Sequence, residues 1–208
     1  KETLFLLSQN EIEPFRIYDN EWIIPQNLAT HYKIYKTISY ESVALKDYFN
    51  YLNSINLSQE DSAKKLGLLN VKYIFTKNNL TNPNFMLLKK FKDSLVYENL
   101  EFLPRFYVIS PESQIKKIKI LDLNTNYINL IAEGPGTLVF SDTYYPGWNA
   151  YFGGNKIKVS KFQEIVKSIE LGAGNHNITF KFEPKSYFVG RKITILTLCL
   201  IFIILLFS

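Results

Sequence analysis

An uninterrupted apolar segment ends this chain and constrains its fold more than any other feature. Residues Ile193–Ser208 read ITILTLCLIFIILLFS and carry no charge, which is the composition of a helix in lipid. At about 1.5 Å of rise per residue the segment covers about 24 Å, less than the roughly 30 Å hydrocarbon core of a bilayer. We therefore predict a truncated transmembrane helix over residues 187–208, and we expect the chain, which begins at Lys1 without a signal sequence, to be part of a longer protein.

Aromatic and basic side chains stand at the start of this predicted helix. Tyr187 and Phe188 are expected at the depth of the lipid headgroups, and Arg191 and Lys192 can extend their charged ends to the same interface. The lipid bilayer is thus the first predicted partner. The positive-inside rule would place the preceding residues in the cytoplasm, but the rule weakens for large domains, so charge alone leaves the orientation open.

The composition indicates a folded protein with no nucleic-acid partner. The 208 residues are 47% hydrophobic and 15% aromatic, enough for one sizeable core or two small ones. The net charge of +5 comes from dispersed lysines that alternate with isoleucine in stretches such as Ile115–Ile120. Such alternation predicts solvated strand faces, and weak attraction to an anionic membrane or cell-wall polymer fits this charge better than nucleic-acid binding. The one cysteine, Cys199, lies in the apolar segment, which excludes a disulfide framework and a thiolate metal site.

Residues 1–100 have the pattern of a small mixed α/β part. A helix is predicted within Glu41–Ile55 from apolar residues at spacings of three and four, namely Leu45, Tyr48, Leu52 and Ile55. A shorter helix is predicted to begin near Ser58, with Asp61 completing a capping box, and to end at Gly67. The predicted strands are Glu13–Tyr18, Val71–Thr76, and a hairpin of Phe85–Phe91 and Leu95–Tyr97.

Residues 101–186 lose the helical spacing and instead show short strands separated by turn residues. This is typical of an antiparallel β-sandwich of the jelly-roll kind. The predicted strands are Arg105–Ile109, Ile115–Leu121, Tyr127–Ala132, Thr137–Asp142, Trp148–Phe152, Lys156–Val159, Glu164–Leu171 and Asn175–Phe182. Turns are predicted at the glycine-rich sequences around residues 134–136, 153–155 and 172–175. The predicted class is therefore α+β, with the sandwich leading into the C-terminal helix.

Four residues form a candidate sugar-binding site. Asp142, Tyr144, Tyr145 and Trp148 lie at the end of a predicted strand, before a Pro-Gly turn. Aromatic faces beside a carboxylate are a common way to hold a sugar. The same rings can instead cap one end of the sandwich, and the sequence leaves both interpretations open.

Arg105 and the two histidines are further candidates. Arg105 can pair with a phosphate, or it can join two domains through a carboxylate such as Glu98 or Glu101. His31 and His176 have no second ligand at metal spacing, and His176 is expected in a hairpin, so we predict no metal site. No phosphate loop, nucleophile elbow or paired helical carboxylates occur in the sequence, so no catalytic residue is predicted.

The order of these motifs resembles the C-terminal end of the bacterial YfhO-like membrane proteins. The resemblance rests on LVFSDTYYPGWNAYF at Leu138–Phe152, followed by a Gly-Gly-Asn turn, LGAGNHNITFKFEPKSYFVG and an apolar helix. Upstream, LGLLNVKYIFT at Leu66–Thr76 and YENLEFLPRFYV at Tyr97–Val108 resemble strands of the same family.

This resemblance implies a location and a function. YfhO-like proteins are polytopic and are regarded as GT-C-type glycosyltransferases, which move sugars from polyprenyl-phosphate donors to cell-envelope polymers. It implies that the soluble part lies on the extracytoplasmic face of the cell membrane, beside an N-terminal transmembrane bundle that this sequence lacks. Because the catalytic acidic residue of GT-C enzymes lies near those N-terminal helices, no catalytic residue or cofactor is assigned to this chain.

Three functional hypotheses follow from the sequence. The first is an accessory domain of a membrane glycosyltransferase, which positions a glycan or polyprenyl-phosphate sugar without making bonds. The second is a surface module that binds carbohydrate or polymer and is held by one anchor. The third is an assembly surface for partner membrane proteins, which predicts an exposed apolar patch.

Overall fold

The structure is a computed structural model that describes residues 14–32, 34–38, 45–116 and 118–207. These residues form two sheets and a long C-terminal helix, which confirms the predicted α+β class. In chain order the elements are β1 (Arg16–Tyr18), α1 (Gln26–His31), β2 (Tyr35–Lys36), α2 (Lys46–Asn53), α3 (Ser62–Leu68), β3 (Val71–Thr76), β4 (Phe85–Lys90), β5 (Leu95–Asn99), β6 (Phe106–Ile109), β7 (Ile115–Lys116), β8 (Lys119–Leu123), β9 (Tyr127–Thr143), β10 (Trp148–Phe152), β11 (Asn155–Ile157), β12 (Ser160–Phe162), β13 (Val166–Phe182) and α4 (Lys185–Phe207).

The first sheet has five strands in the order β2-β1-β3-β5-β4. Strands β2, β1 and β3 are parallel, whereas β5 runs antiparallel to both β3 and β4. The central strand β3 is covered on both faces. Its Val71 and Ile74 pack in the cluster that contains Leu66 of α3, and its Tyr73 and Phe75 pack in the cluster that contains Ala29 of α1. Burial on both faces explains why this strand reads as a nearly continuous apolar run.

The helices differ in detail from the sequence prediction. Of the predicted stripe, Leu52 is buried but Leu45 stands exposed just before α2; residues 41–44 lie outside the described residues. Helix α3 begins at Ser62, and Asp61 makes no side-chain capping bond. Gly67 lies inside α3 and does not end it. Glycine is required there because a Cβ atom would overlap the backbone oxygen of Glu101.

The second sheet is built on two long antiparallel strands, β9 and β13, of 17 residues each. The first part of β9 pairs with β8 and its last part with β6, while the first part of β13 pairs with β12 and its last part with β10. The sheet therefore has two halves, and buried residues of both halves share one core that includes Leu130, Phe140, Ile169 and Phe180. This arrangement is the predicted β-sandwich.

Two predicted turns of the sandwich are bends within continuous strands. The sequence around Gly134 and Gly136 does not separate two strands, because β9 runs through it, and β13 likewise runs through Gly172 and Gly174. The register of the pair shifts between Leu171 and Gly174. Residues without a Cβ atom let the paired strands bend without losing their partners. His176 consequently lies within β13 and not in a hairpin.

The two parts of the soluble region share a hydrophobic cluster. Tyr107, Val139 and Val166 of the sandwich belong to the same buried cluster as Leu66 and Val71 of the first part. The predicted boundary near residue 100 thus separates two architectures, while their side chains form a common core.

Gly67→Ala is expected to destabilise the protein by about 2 kcal/mol or more, because the added methyl group would press on the backbone of Glu101. The measurement is urea unfolding of the full chain in detergent micelles. Gly172→Ala is the matched control, since no atom lies within 4 Å of the position of its Cβ. Equal unfolding midpoints for the two variants would contradict the packing described here.

Candidate functional site

Asp142 lies at the end of β9 and pairs with two arginines, one from each part of the soluble region. Arg16 of β1 donates from Nη2 to Oδ1 of Asp142, and Arg105 donates from Nη2 to Oδ2 at 2.7 Å. Arg16 also donates from Nη1 to the backbone oxygens of Leu69 at 2.9 Å and Ser141 at 3.0 Å. Arg16 therefore contacts backbone from both parts of the protein while it holds the carboxylate.

The charge state of Asp142 follows from these partners. Burial by itself would raise the pKa of this carboxyl, but the positive charges of Arg16 and Arg105 outweigh burial and hold the pKa at about 2. Asp142 is therefore ionised at neutral pH, and each of its oxygens accepts a hydrogen bond from an arginine. A carboxylate in this state is suited to holding structure and not to donating a proton.

Lys167 of β13 completes a group that we call the Asp142 cluster: Arg16, Arg105, Asp142 and Lys167. Lys167 is only 2% exposed, and its Nζ lies 4.1 Å from the ring centre of Phe140 and 4.8 Å from that of Trp148. The Nζ also donates to the backbone oxygen of Thr143 at 3.2 Å. Burial lowers the pKa of Lys167 to about 8, with the two arginines acting in the same direction and Asp142 opposing them.

The partner predicted for Arg105 was wrong. Asp142 takes the place of Glu98 or Glu101, because β6 pairs Phe106 with Phe140 and so brings Arg105 beside the end of β9. The pair Arg105–Asp142 therefore lies within the sandwich part, and the link to the first part is made by Arg16. Sequence analysis missed Arg16 and Lys167, whose positions depend on strand pairing between distant segments.

The four residues of the predicted sugar site have different environments. Both oxygens of Asp142 are occupied, and Trp148 packs against Phe140 and Phe182 at 5.9 and 5.5 Å between ring centres. Tyr144 donates its backbone N–H to Ile165, whereas Tyr145 is 45% exposed. Asp142 and Trp148 thus serve packing and charge pairing in this arrangement, and Tyr145 is the most exposed of the four.

Glu183 ties the end of the sandwich to the start of α4. Its Oε2 accepts hydrogen bonds from the Tyr151 hydroxyl at 2.6 Å and from Nδ2 of Asn149 at 2.8 Å, which lower the pKa of Glu183. Its backbone N–H donates to the oxygen of Gly147 at 2.6 Å. Gly147 has φ +112°, and a Cβ atom there would lie 3.0 Å from Pro184. The two residues between β13 and α4 are therefore fixed against β10.

Helix α4 is long and apolar enough to cross a membrane, over Lys185–Leu206, and it is the one helix of this kind in the described part of the chain. The four residues predicted at the membrane interface lie in its first eight residues and are exposed: Tyr187, Phe188, Arg191 and Lys192. The helix has 23 residues, about 34 Å at 1.5 Å per residue. Glu183 and Pro184 are thus the two residues that connect β13 of the sandwich to this helix.

The histidines lie apart from these groups. His31 ends α1 beside Tyr32, and Nε2 of His176 lies 2.9 Å from the backbone oxygen of Gly172. Within the described ranges, no three side chains of His, Cys, Asp or Glu come together in a way that could hold a metal ion.

The stability of the protein is expected to fall with acid through Asp142. The pKa of this carboxyl is about 2 in the folded protein, against 3.8 for an ordinary aspartate. A group with a lowered pKa stabilises the fold above its unfolded pKa, and this contribution is lost as the pH falls through the folded pKa. Urea unfolding of the full chain in micelles should therefore show a loss on the order of 2 kcal/mol between about pH 5 and pH 2 that Asp142→Asn does not show.

At neutral pH, Asp142→Asn should itself be destabilising, because it leaves Arg16 and Arg105 without their counter-charge. The matched control is Asp122→Asn, at an exposed position of β8. The assignment would be contradicted if Asp142→Asn retained the acid-dependent loss of the natural protein, or if both variants had the same midpoint at pH 7.

Comparison with family models, curated proteins and solved structures found no match to this chain. The resemblance to YfhO-like proteins accordingly stays a prediction from the sequence. The geometry that a functional proposal can use is the Asp142 cluster, the hydrogen-bonded junction at Glu183 and helix α4, which is long and apolar enough to cross a membrane.

Proposed function

We propose that this chain is the extracytoplasmic, membrane-proximal accessory part of a polytopic envelope glycosyltransferase of the YfhO-like kind. In this role it positions a polymer acceptor or a polyprenyl-phosphate sugar, and the catalytic residues belong to the transmembrane bundle. The observation that carries the proposal is the short, hydrogen-bonded junction between the sandwich and α4.

A fixed junction suits a positioning role. A sugar donor with a polyprenyl tail is confined to the membrane, so a domain that acts on it must stay at a set distance and angle. Glu183 is held by Tyr151, Asn149 and Gly147, which fixes the end of the sandwich two residues before α4 begins. Holding reactants in the right geometry can remove several kcal/mol from a reaction barrier without any bond being made by the domain.

The Asp142 cluster extends this restraint to the first sheet. Because Arg16 of β1 and Arg105 share one carboxylate, the α/β part cannot turn freely relative to the sandwich. The whole soluble region then moves with α4, which is what a brace beside a helical bundle requires.

A second candidate is a glycan-binding module held at the membrane by α4, with no part in catalysis. It is favoured by the polar and aromatic outer face of the sandwich, which is described below. The two candidates differ in whether a fixed geometry at the junction is needed.

A flexible insertion tests the positioning role. Six Gly/Ser residues inserted between Pro184 and Lys185 of the full-length protein should abolish transfer of labelled sugar to the envelope polymer, while protein level and membrane insertion stay normal. The same insertion in the β4–β5 turn, at exposed Lys92 and Asp93, is the control and should leave transfer intact. Full transfer with the junction insertion would contradict the proposal and favour the binding module.

The membrane orientation is tested with a single introduced thiol. Cys199 lies within the spanning segment, so Asp93→Cys adds a reactive cysteine at an exposed turn. An impermeant maleimide should label this variant in intact cells, because the proposal places the turn outside. Labelling that requires permeabilised cells would place the soluble part in the cytoplasm.

A further inference from the structure

One outer face of the sandwich carries polar and aromatic side chains in two aligned rows. We call it the Tyr151 face. In the first row, strand pairing places Tyr151 of β10 opposite Thr179 of β13, and Thr179 opposite Asn129 of β9. The second row lies two residues away on each of these strands. The row between them is buried in the sandwich core, so both rows of this face point outward: Tyr151, Thr179 and Asn129, with Asn149, Lys181 and Tyr127.

The Tyr151 face contains an open cleft of about 530 Å³. Asn177, Thr179 and Lys181 line it along β13, and the turn at Gly153 and Gly154 closes one end. No described atom lies within 4 Å of where a Cβ atom would stand on either glycine. The cleft therefore combines amide, hydroxyl and ammonium groups with bare backbone.

The aromatic ring beside this cleft is held in place. The hydroxyl of Tyr151 donates to Glu183, which fixes the orientation of the ring. Nζ of Lys181 lies 5.6 Å from the ring centre of Tyr151 and 5.9 Å from that of Tyr127. A ring that is already ordered loses little conformational freedom when a ligand packs on it, which favours binding.

One acceptor of the face has no donor in the described structure. Oδ1 of Asn129 is buried beneath the surface and lacks a hydrogen-bond partner. A buried acceptor without a donor costs about 1–3 kcal/mol. Because this oxygen is buried and Asn129 is not among the residues that line the cleft, it has no part in the binding of a ligand there.

We propose that the Tyr151 face binds an oligosaccharide, with Lys181 placed to pair with an acidic substituent. Sugars present a flat apolar face that packs on an aromatic ring, and a rim of hydroxyls that bond to amides and hydroxyls. The second cation of the surface, Lys156, stands directly opposite Tyr151 on β11. The carboxylate of Glu183 lies near both lysines and offsets one of their two charges. The remaining positive charge favours a uronic-acid or phosphate-bearing sugar over a neutral one.

The site differs from the cluster that the sequence indicated. Trp148 is packed in the sandwich and Asp142 is paired with arginines, whereas Tyr151 and Lys181 flank an open cleft. The inference deepens the proposed function by naming its glycan-contacting surface, and it rests on that function for the presence of a glycan on this side of the membrane.

The test is binding of the full chain, in lipid nanodiscs, to an array of bacterial envelope oligosaccharides that includes neutral, uronic-acid-containing and phosphate-substituted sugars. Retention of an acidic oligosaccharide is expected. Tyr151→Ala and Asn177→Ala should each weaken it at least fivefold, and Lys181→Gln should weaken acidic sugars more than neutral ones. Asn177 and Lys181 are exposed, so their variants keep the test valid if Tyr151→Ala unfolds.

Two controls locate the site. Tyr35→Ala removes another exposed tyrosine, 57% exposed on the first sheet, and should leave binding unchanged. Tyr145→Ala tests the cluster predicted from sequence and should also leave binding unchanged. The proposal is overturned if no oligosaccharide is retained, if Tyr145→Ala rather than the Tyr151-face variants removes binding, or if only anionic phospholipid vesicles bind.

The outcome is separable from that of the proposed function. Binding to the array needs no transfer activity. If the chain binds sugar and the junction insertion leaves transfer intact, the Tyr151 face is supported and the positioning role is overturned. If the chain binds no sugar and the junction insertion abolishes transfer, the positioning role is supported and the Tyr151 face is overturned as a binding site.

Discussion

The rest of the structure depends on the carboxylate of Asp142, which two arginines from different parts of the protein hold at once. Arg16 belongs to the first sheet and Arg105 leads into β6 of the second, so one carboxylate links the two parts beside the hydrophobic cluster that they share. Removing the carboxylate would leave two cations close together beside the buried Lys167. A buried ion pair adds little net free energy to folding, because its attraction is offset by the cost of removing the charges from water. Losing one partner is nevertheless strongly destabilising, because the other charges are then left buried without a counter-charge.

The fixed relation between the sheets matters because the sandwich leads directly into α4, a helix long and apolar enough to cross a membrane. Glu183 bonds to Tyr151 and Asn149 at the point where β13 gives way to α4. The same bond orients the ring of Tyr151 beside the open cleft. The hydrogen bond between Tyr151 and Glu183 therefore both restrains the junction and orients a ring of the proposed binding surface. Under the proposed function, a glycan bound there would lie at a constant height above the bilayer.

Local patterns in the sequence predicted some of this structure, and non-local pairing determined the rest. The apolar segment, the β4–β5 hairpin and the strand Trp148–Phe152 follow from composition and turn residues close in the chain. The Asp142 cluster does not, because it requires the register of β6 against β9 and the approach of β1 from the other sheet. The bends in β9 and β13 were predicted as turns, since the same glycines permit either outcome. Helix α1 was not predicted, because Pro25, which disfavours helix in the residues before it, is also the residue directly before α1.

The claim that the soluble region is one rigid unit is tested most directly by native-state hydrogen exchange of the full chain in micelles. Slowly exchanging amides of β3 in the first sheet and β9 in the second should open with the same free energy, since their elements share a core and the Asp142 cluster. Amides of β3 that exchange through a separate opening of much lower free energy would show that the first sheet unfolds alone, and would contradict the account.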